Sequence, residues 1–185
     1  MSQFNLQPIV RTLVAVTGAF VFAAGAHAAG DKAMYDQHKA TAKTTYDAAK
    51  KQCDALSGNA KDICDAEAKA ARKKTEATAE AEYKNTAKAR EEAAEDIANA
   101  EYDVAKERCD DKGGNDKDVC VKEAKAARDT AKADAKAKRD TTKARTEAME
   151  DKNKVAYKAE AEKCDALSGD AKTSCVTQAK AKFHQ

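Results

Sequence analysis

Two hydrophobic patterns divide the chain. Residues 13–25 (LVAVTGAFVFAAG) form one unbroken apolar run. Beyond it, apolar residues return singly, mostly as alanine, at steps of three and four. Ala42, Tyr46, Ala49, Cys53 and Leu56 make one such stripe, with Tyr35 two turns upstream; Ala94, Ala98, Tyr102, Ala105 and Cys109 make another. That period places one residue per turn on a single helix face and predicts amphipathic α-helices. The glycines that could end these helices are Gly58, Gly113, Gly114 and Gly169, and the single proline, Pro8, precedes the apolar run. Four helices are expected, over about 32–55, 60–111, 116–166 and 171–183, the two central ones each about 75 Å long at the α-helical rise. Weak helix formers at Asn85-Thr86 and at Thr141-Thr142, matching points of the two long segments, offer an alternative in which each breaks in two. With no glycine or proline to stop them, continuous helices are the expectation.

The apolar run has a different meaning. Arg11 precedes it, and residues 26–28 read Ala-His-Ala. A charged start, a short apolar core and a small-x-small site make a secretory signal peptide cut after Ala28. The run is shorter than the roughly 20 apolar residues that a spanning helix needs. No cysteine precedes Cys53, so no lipid-modified cysteine is expected at the cut. The expected organisation is a signal peptide over 1–28 and one helical repeat domain over 29–185, exported to a bacterial periplasm.

Three segments repeat one another. Tyr46 opens YDAAKKQCDALSGNAKDICDAEAKAAR, Tyr102 opens YDVAKERCDDKGGNDKDVCVKEAKAAR and Tyr157 opens YKAEAEKCDALSGDAKTSCVTQAKAKF. They span 46–72, 102–128 and 157–183 and share the frame Y-x6-C-D-x3-G-[ND]-x-K-x2-C. All 6 cysteines fall in it. The glycines Gly58, Gly114 and Gly169 can take the left-handed conformation that ends a helix. Asn59, Asn115 and Asp170, which follow them, are good N-caps for the next helix. Helix, glycine stop, cap and helix make an antiparallel hairpin, with its two cysteines facing each other across the turn. In an oxidising compartment an even cysteine count reads as a disulfide framework. Counting alone allows about 15 pairings of six cysteines; the repeat favours Cys53–Cys64, Cys109–Cys120 and Cys164–Cys175. A metal site has the wrong cysteine spacing and only His38 and His184 beyond the signal. A redox-active pair lacks the C-x-x-C arrangement. The repeat tyrosines are expected to plug the helix seam beside each disulfide, the alternative being a ligand-stacking row.

Composition bears on whether the helices form. Past the signal, leucine occurs only at Leu56 and Leu167 and isoleucine only at Ile63 and Ile97, and tryptophan is absent. Such scarcity argues for disorder. Against it, 34 Lys and Arg nearly balance 32 Asp and Glu, and Ala, Lys, Glu and Arg are the best helix formers. Asp47/Lys51, Asp65/Lys69, Glu80/Lys84, Asp118/Lys122, Asp134/Lys138 and Glu150/Lys154 place an acid four residues before a base, each pair adding about 0.2–0.5 kcal/mol to an isolated helix. With no basic block interleaved with aromatics, nucleic acid is not an expected partner. Alanine faces without Leu, Phe or Trp predict no strong membrane binding.

The chain resembles a group of exported Ala/Lys-rich proteins of Gram-negative bacteria that carry repeated CDALSGxAKDxC motifs. Residues 53–64 match that motif throughout, 164–175 match except at Thr173, and 109–120 match loosely. Some members are labelled TolA-like, after the Ala/Lys/Glu-rich helical stalk of that cell-envelope protein; the resemblance implies an envelope location and does not carry over Tol-Pal function. The composition is also similar to group 3 late-embryogenesis-abundant stress proteins. An enzyme is not expected: no glycine-rich phosphate loop occurs and histidines are scarce, while the cysteines are expected to be paired. No cofactor is predicted. The expected function is a non-enzymatic periplasmic protein with a structural or interaction role, engaging an envelope protein or a further copy of itself as a homo-oligomer. The alternatives are a stress-protective, chaperone-like protein and a thiol redox sensor.

Overall fold

A computed structural model describes residues 30–185. The signal peptide expected over 1–28 lies outside the described residues. The rest is all-α, in five helices: α1 Lys32–Cys53, α2 Gly58–Lys84, α3 Ala87–Cys109, α4 Gly114–Cys164 and α5 Gly169–Phe183. They run up and down, and backbone packing joins only chain neighbours: α1 to α2, α2 to α3, α3 to α4 and α4 to α5. The described residues therefore form a single open layer of antiparallel helices with no central core. Two turns meet at one end of the layer, where Asn59 Nδ2 donates to Asp111 Oδ1 at 2.6 Å. At the other end Gly30 docks on α2, its N–H donating to the Tyr83 carbonyl at 2.7 Å, and Tyr35 stacks on Tyr83 with ring centres 5.1 Å apart. A side chain at Gly30 would meet the Tyr83 backbone at 2.7 Å, so this close approach requires glycine.

The seams between helices are alanine. Ala77, Ala81 and Ala93 form a buried cluster between α2 and α3, with Ile97 packed against it. Ala42 and Ala68 are buried in the first hairpin, where the expected stripe is otherwise half-buried at Tyr46 and Ala49. Leu56, expected at the end of that stripe, is instead 45% exposed in the turn. Alanine lets helices approach closely but removes little area from water, at about 25 cal/mol per Å². The described residues with essentially no exposure are Cys53, Cys109 and Cys164, at 0%, 1% and 0%. These three cysteines thus sit at the most enclosed points of helix seams that have few large side chains.

Three expectations need correction. The helix expected over 60–111 is broken. Asn85 caps α2 in the left-handed conformation, with φ 47° and ψ 37°, and Thr86 starts α3, its Oγ1 accepting from the Ala89 N–H at 3.0 Å. Asparagine tolerates that conformation because its short polar side chain relieves the steric penalty. At the matching point Thr141-Thr142 the expected continuity holds, and α4 runs 51 residues without interruption. Second, the helix-start positions are Ser57, Gly113 and Ser168, and none makes a side-chain cap. Asn59, Asn115 and Asp170 lie one residue inside the helix starts, because the left-handed glycine opens the second helix instead of closing the first. Third, the expected ion pairs are mostly exchanged. Glu80–Lys84 forms at 2.6 Å, whereas Asp47 takes Lys43 at 2.7 Å and Asp65 takes Lys50 of α1 at 2.5 Å. For Asp47 the competing base is a turn earlier on its own helix and for Asp65 it comes from the neighbouring one, and exposed pairs are too weak to hold their partners against such rivals.

Candidate functional site: three disulfide-closed turns

Each turn is built the same way. A helix ends on a buried cysteine, and the next residue, Asp54, Asp110 or Asp165, caps it in ordinary helical conformation. Two residues on, the N–H of Leu56, Lys112 or Leu167 donates back to the cysteine carbonyl at 3.0 Å in all three turns. Gly58, Gly114 and Gly169 then reverse the chain with φ of 56°, 53° and 56°. A side chain there would be strained in this left-handed region, although nothing else lies within 4 Å of the place it would occupy. Nearly two helical turns into the next helix the second cysteine comes opposite the first. The disulfides are Cys53–Cys64, Cys109–Cys120 and Cys164–Cys175, with Cα–Cα distances of 5.5, 5.7 and 5.7 Å. These lie within the unstrained range. No free cysteine remains.

A salt bridge closes each turn on its outer side: Lys61–Asp54 at 2.5 Å, Lys117–Asp110 at 2.9 Å and Lys172–Asp165 at 2.8 Å. Lys61 and Lys117, each hydrogen-bonded to the carboxylate, hold Asp54 and Asp110 below the usual carboxylate range. The Asp110 hydrogen bond in turn raises Lys117. The sequence reading missed this clamp. Its signal was present in the shared frame, which keeps an aspartate after the first cysteine and a lysine seven positions later in all three copies.

The repeat tyrosines lie two helical turns before the first cysteine of each pair and are half-buried. Arg72 lies over the Tyr46 ring at 5.4 Å and Arg128 over the Tyr102 ring at 4.6 Å. Arg72 and Arg128 occupy one position of the repeat, which in the third copy is Phe183. In the first two copies the tyrosine face is covered by a cation of the chain itself.

An open groove of about 640 Å³ runs along α2 between Tyr46 and α3. Its wall carries charges of both signs in pairs, such as Lys73–Asp96 at 2.8 Å. The Asp96 hydrogen bond raises Lys73, and the Lys50 hydrogen bond lowers Asp65. Asp65 is pushed down and Lys73 up, so each holds more firmly to its charged form. That is the opposite of the shift that prepares a carboxylate or amine for proton transfer. Among the described residues no three of His, Cys, Asp and Glu are grouped to hold a metal ion. No described helix is long and apolar enough to cross a membrane.

The three turns do not form one site. The first two lie side by side, joined by Asn59–Asp111 and by Arg108–Glu67 at 2.5 Å. The third is carried off by the 51 residues of α4, a distance of about 75 Å.

Comparison of the chain with protein-family models, with curated proteins and with solved structures finds no match.

Proposed function

We propose that this is a non-enzymatic, exported helical protein of the periplasm that acts as a spacer and interaction surface in the cell envelope. The observation that carries the proposal is α4. A single helix of 51 residues holds a disulfide-closed hairpin layer at one end and a separate disulfide-closed hairpin at the other. Such a frame suits the holding of two surfaces apart. The single-layer packing supports it as well, because both faces of the layer remain available for a partner. The Ala-His-Ala site at 26–28, the CDALSG motifs at 53–58 and 164–169 and the resemblance to exported Ala/Lys-rich proteins support an envelope setting for this role.

Crosslinking in intact cells followed by affinity capture tests it. One recurring envelope protein, crosslinked through α4 or the hairpin faces, is the expected result. Suppression of aggregation of unrelated client proteins, with no recurring partner, would replace this function with a chaperone-like one. Intact mass of the exported product should begin at Ala29; a mass that retains residues 1–28 would sink the assignment to the periplasm as a released protein.

A further inference from the structure

The face of α4 on either side of Thr141 is exposed although it is built like a buried seam. The repeat explains why. Cys53 to Cys109 is 56 positions and Cys109 to Cys164 is 55, so α2 corresponds to the first half of α4 and α3 to the second. In the first copy those two segments fold against each other across Asn85 and bury Ala77, Ala81 and Ala93. Their counterparts in α4 are Ala133, Ala137 and Ala148, alanine in every case, and all three are exposed. Ala89, buried where α3 begins, corresponds to Ala144, which is also exposed. The straight helix therefore carries both sides of a seam and closes neither.

The other sides of these segments are occupied as the repeat demands. Ala79 of α2 is buried, and its counterpart Ala135 is half-buried on the wall that α4 shares with α3, beside Ala94 and Arg139. The second half of α4 takes α5 as α3 takes α4. What each half lacks is the partner that the other half would supply, and an unbent helix cannot supply it to itself.

We propose that a second copy of this chain supplies it, with two α4 helices packed antiparallel about a two-fold axis near Thr141. That arrangement sets Ala133 opposite Ala148 of the second copy and Ala137 opposite Ala144. Beside this seam runs a charged stripe at steps of three and four. In that overlap the charged pairs lie two positions off the alanine register, within reach of long side chains: Asp129 towards Lys154, Lys132 towards Asp151, Lys136 towards Glu147 and Asp140 towards Lys143, four pairs of opposite charge, each occurring twice by symmetry, while Asp129 also comes within one position of Asp151 and Asp140 within one of its own counterpart in the second copy. These side chains already share one helix face, as Lys136–Asp140 at 2.9 Å and Lys143–Glu147 at 3.8 Å show. In the first copy the corresponding residues at one level are Glu80, Glu92 and Asp96, all acidic, which line a common cavity; in α4 they are Lys136, Glu147 and Asp151. The change from like to opposite charges favours pairing at this level of the α4 seam. On the opposite flank Lys138 meets Arg145, a like-charged pair. Ile97, which closes the α2–α3 cluster, is replaced by Lys152, so the seam rests on close alanine contact and charge, and its strength should fall with salt.

Sedimentation velocity on the purified, oxidised mature chain tests the dimer, independently of any envelope role. The expected result is a concentration-dependent monomer–dimer equilibrium that weakens as salt is raised. Lys136→Glu turns two attractive contacts per dimer into repulsive ones and should weaken association about tenfold. The double variant Lys136→Glu, Glu147→Lys restores opposite charges and should restore the dimer, with circular dichroism and disulfide map unchanged throughout. A wild-type chain that stays monomeric at low salt up to its solubility limit would overturn the proposal. So would a dimer indifferent to Lys136→Glu, or one that the charge swap fails to rescue.

Discussion

Residues 58–109 and 114–164 are two copies of one pattern that end as different objects. The first is a hairpin, α2 and α3; the second is the single helix α4. The divergence comes down to two positions. Asn85 takes the left-handed conformation and its N–H donates to the Ala81 carbonyl at 2.9 Å, closing α2. The counterpart Thr141 is β-branched, and such residues are true outliers in that conformation. Thr86 and Thr142 have the same side chain in opposite roles. Thr86 Oγ1 accepts from a backbone N–H to start α3, whereas Thr142 Oγ1 donates to the Lys138 carbonyl at 2.8 Å within an unbroken helix. Threonine supports either state, so the asparagine decides.

The largest effect expected on this contrast comes from the disulfides. Removing Cys164–Cys175 with two serine substitutions should cost about 3 kcal/mol by loop-closure entropy. It should also release α5, whose 15 residues are near the length at which an isolated helix becomes marginal. Removing Cys53–Cys64 should cost a similar amount yet leave α1 docked, because α1 has a longer seam along α2. Hydrogen exchange resolves the two cases: protection lost throughout α5 in the first, and only near the turn in the second. Equal loss in both would mean that the short hairpin is held by packing as firmly as the long one.

Next is Asn85→Thr, which gives the first copy the residue of the second. It should destabilise the hairpin by about 1–3 kcal/mol, the cost of holding an unsuitable residue in left-handed conformation. Urea denaturation measures this. An unchanged midpoint would refute asparagine as the deciding residue.

A change in the opposite sense, Thr141→Gly, should be smaller, about 1 kcal/mol, the cost of glycine within a helix. It should permit α4 to fold back, seen as a lower radius of gyration in small-angle scattering.

The smallest effect is on pH. Asp54 and Asp110 have folded-state pKa values below their unfolded ones, through hydrogen bonds from Lys61 and Lys117. Their contribution is therefore present above the unfolded carboxylate pKa and is lost as pH falls through the lowered folded values. Both groups are solvent-exposed, so the melting temperature should drop only slightly on acidification, and Asp54→Asn should remove part of that drop.

Much of this fold was legible in the chain. The three-and-four spacing of alanine, the absence of internal proline and the threefold cysteine frame prescribe helices, turns and pairing, since all are local or rest on exact repetition. Less was legible at the turns. Aspartate and lysine seven positions apart form a clamp only once the hairpin brings them together, and the acid–base pairs along each helix yielded where a neighbouring helix offered another base, as Lys50 does to Asp65.

By itself, then, the sequence determined that this chain is helical and where it is crosslinked, because helix propensity and glycine conformation are properties of single residues. Tertiary structure decided which charges pair and which alanines are covered. Those outcomes depend on competition between partners of nearly equal strength. A seam of alanine and exposed ion pairs leaves each choice to margins of a few kcal/mol or less. The same alanines are therefore buried at residue 77 and open at residue 133.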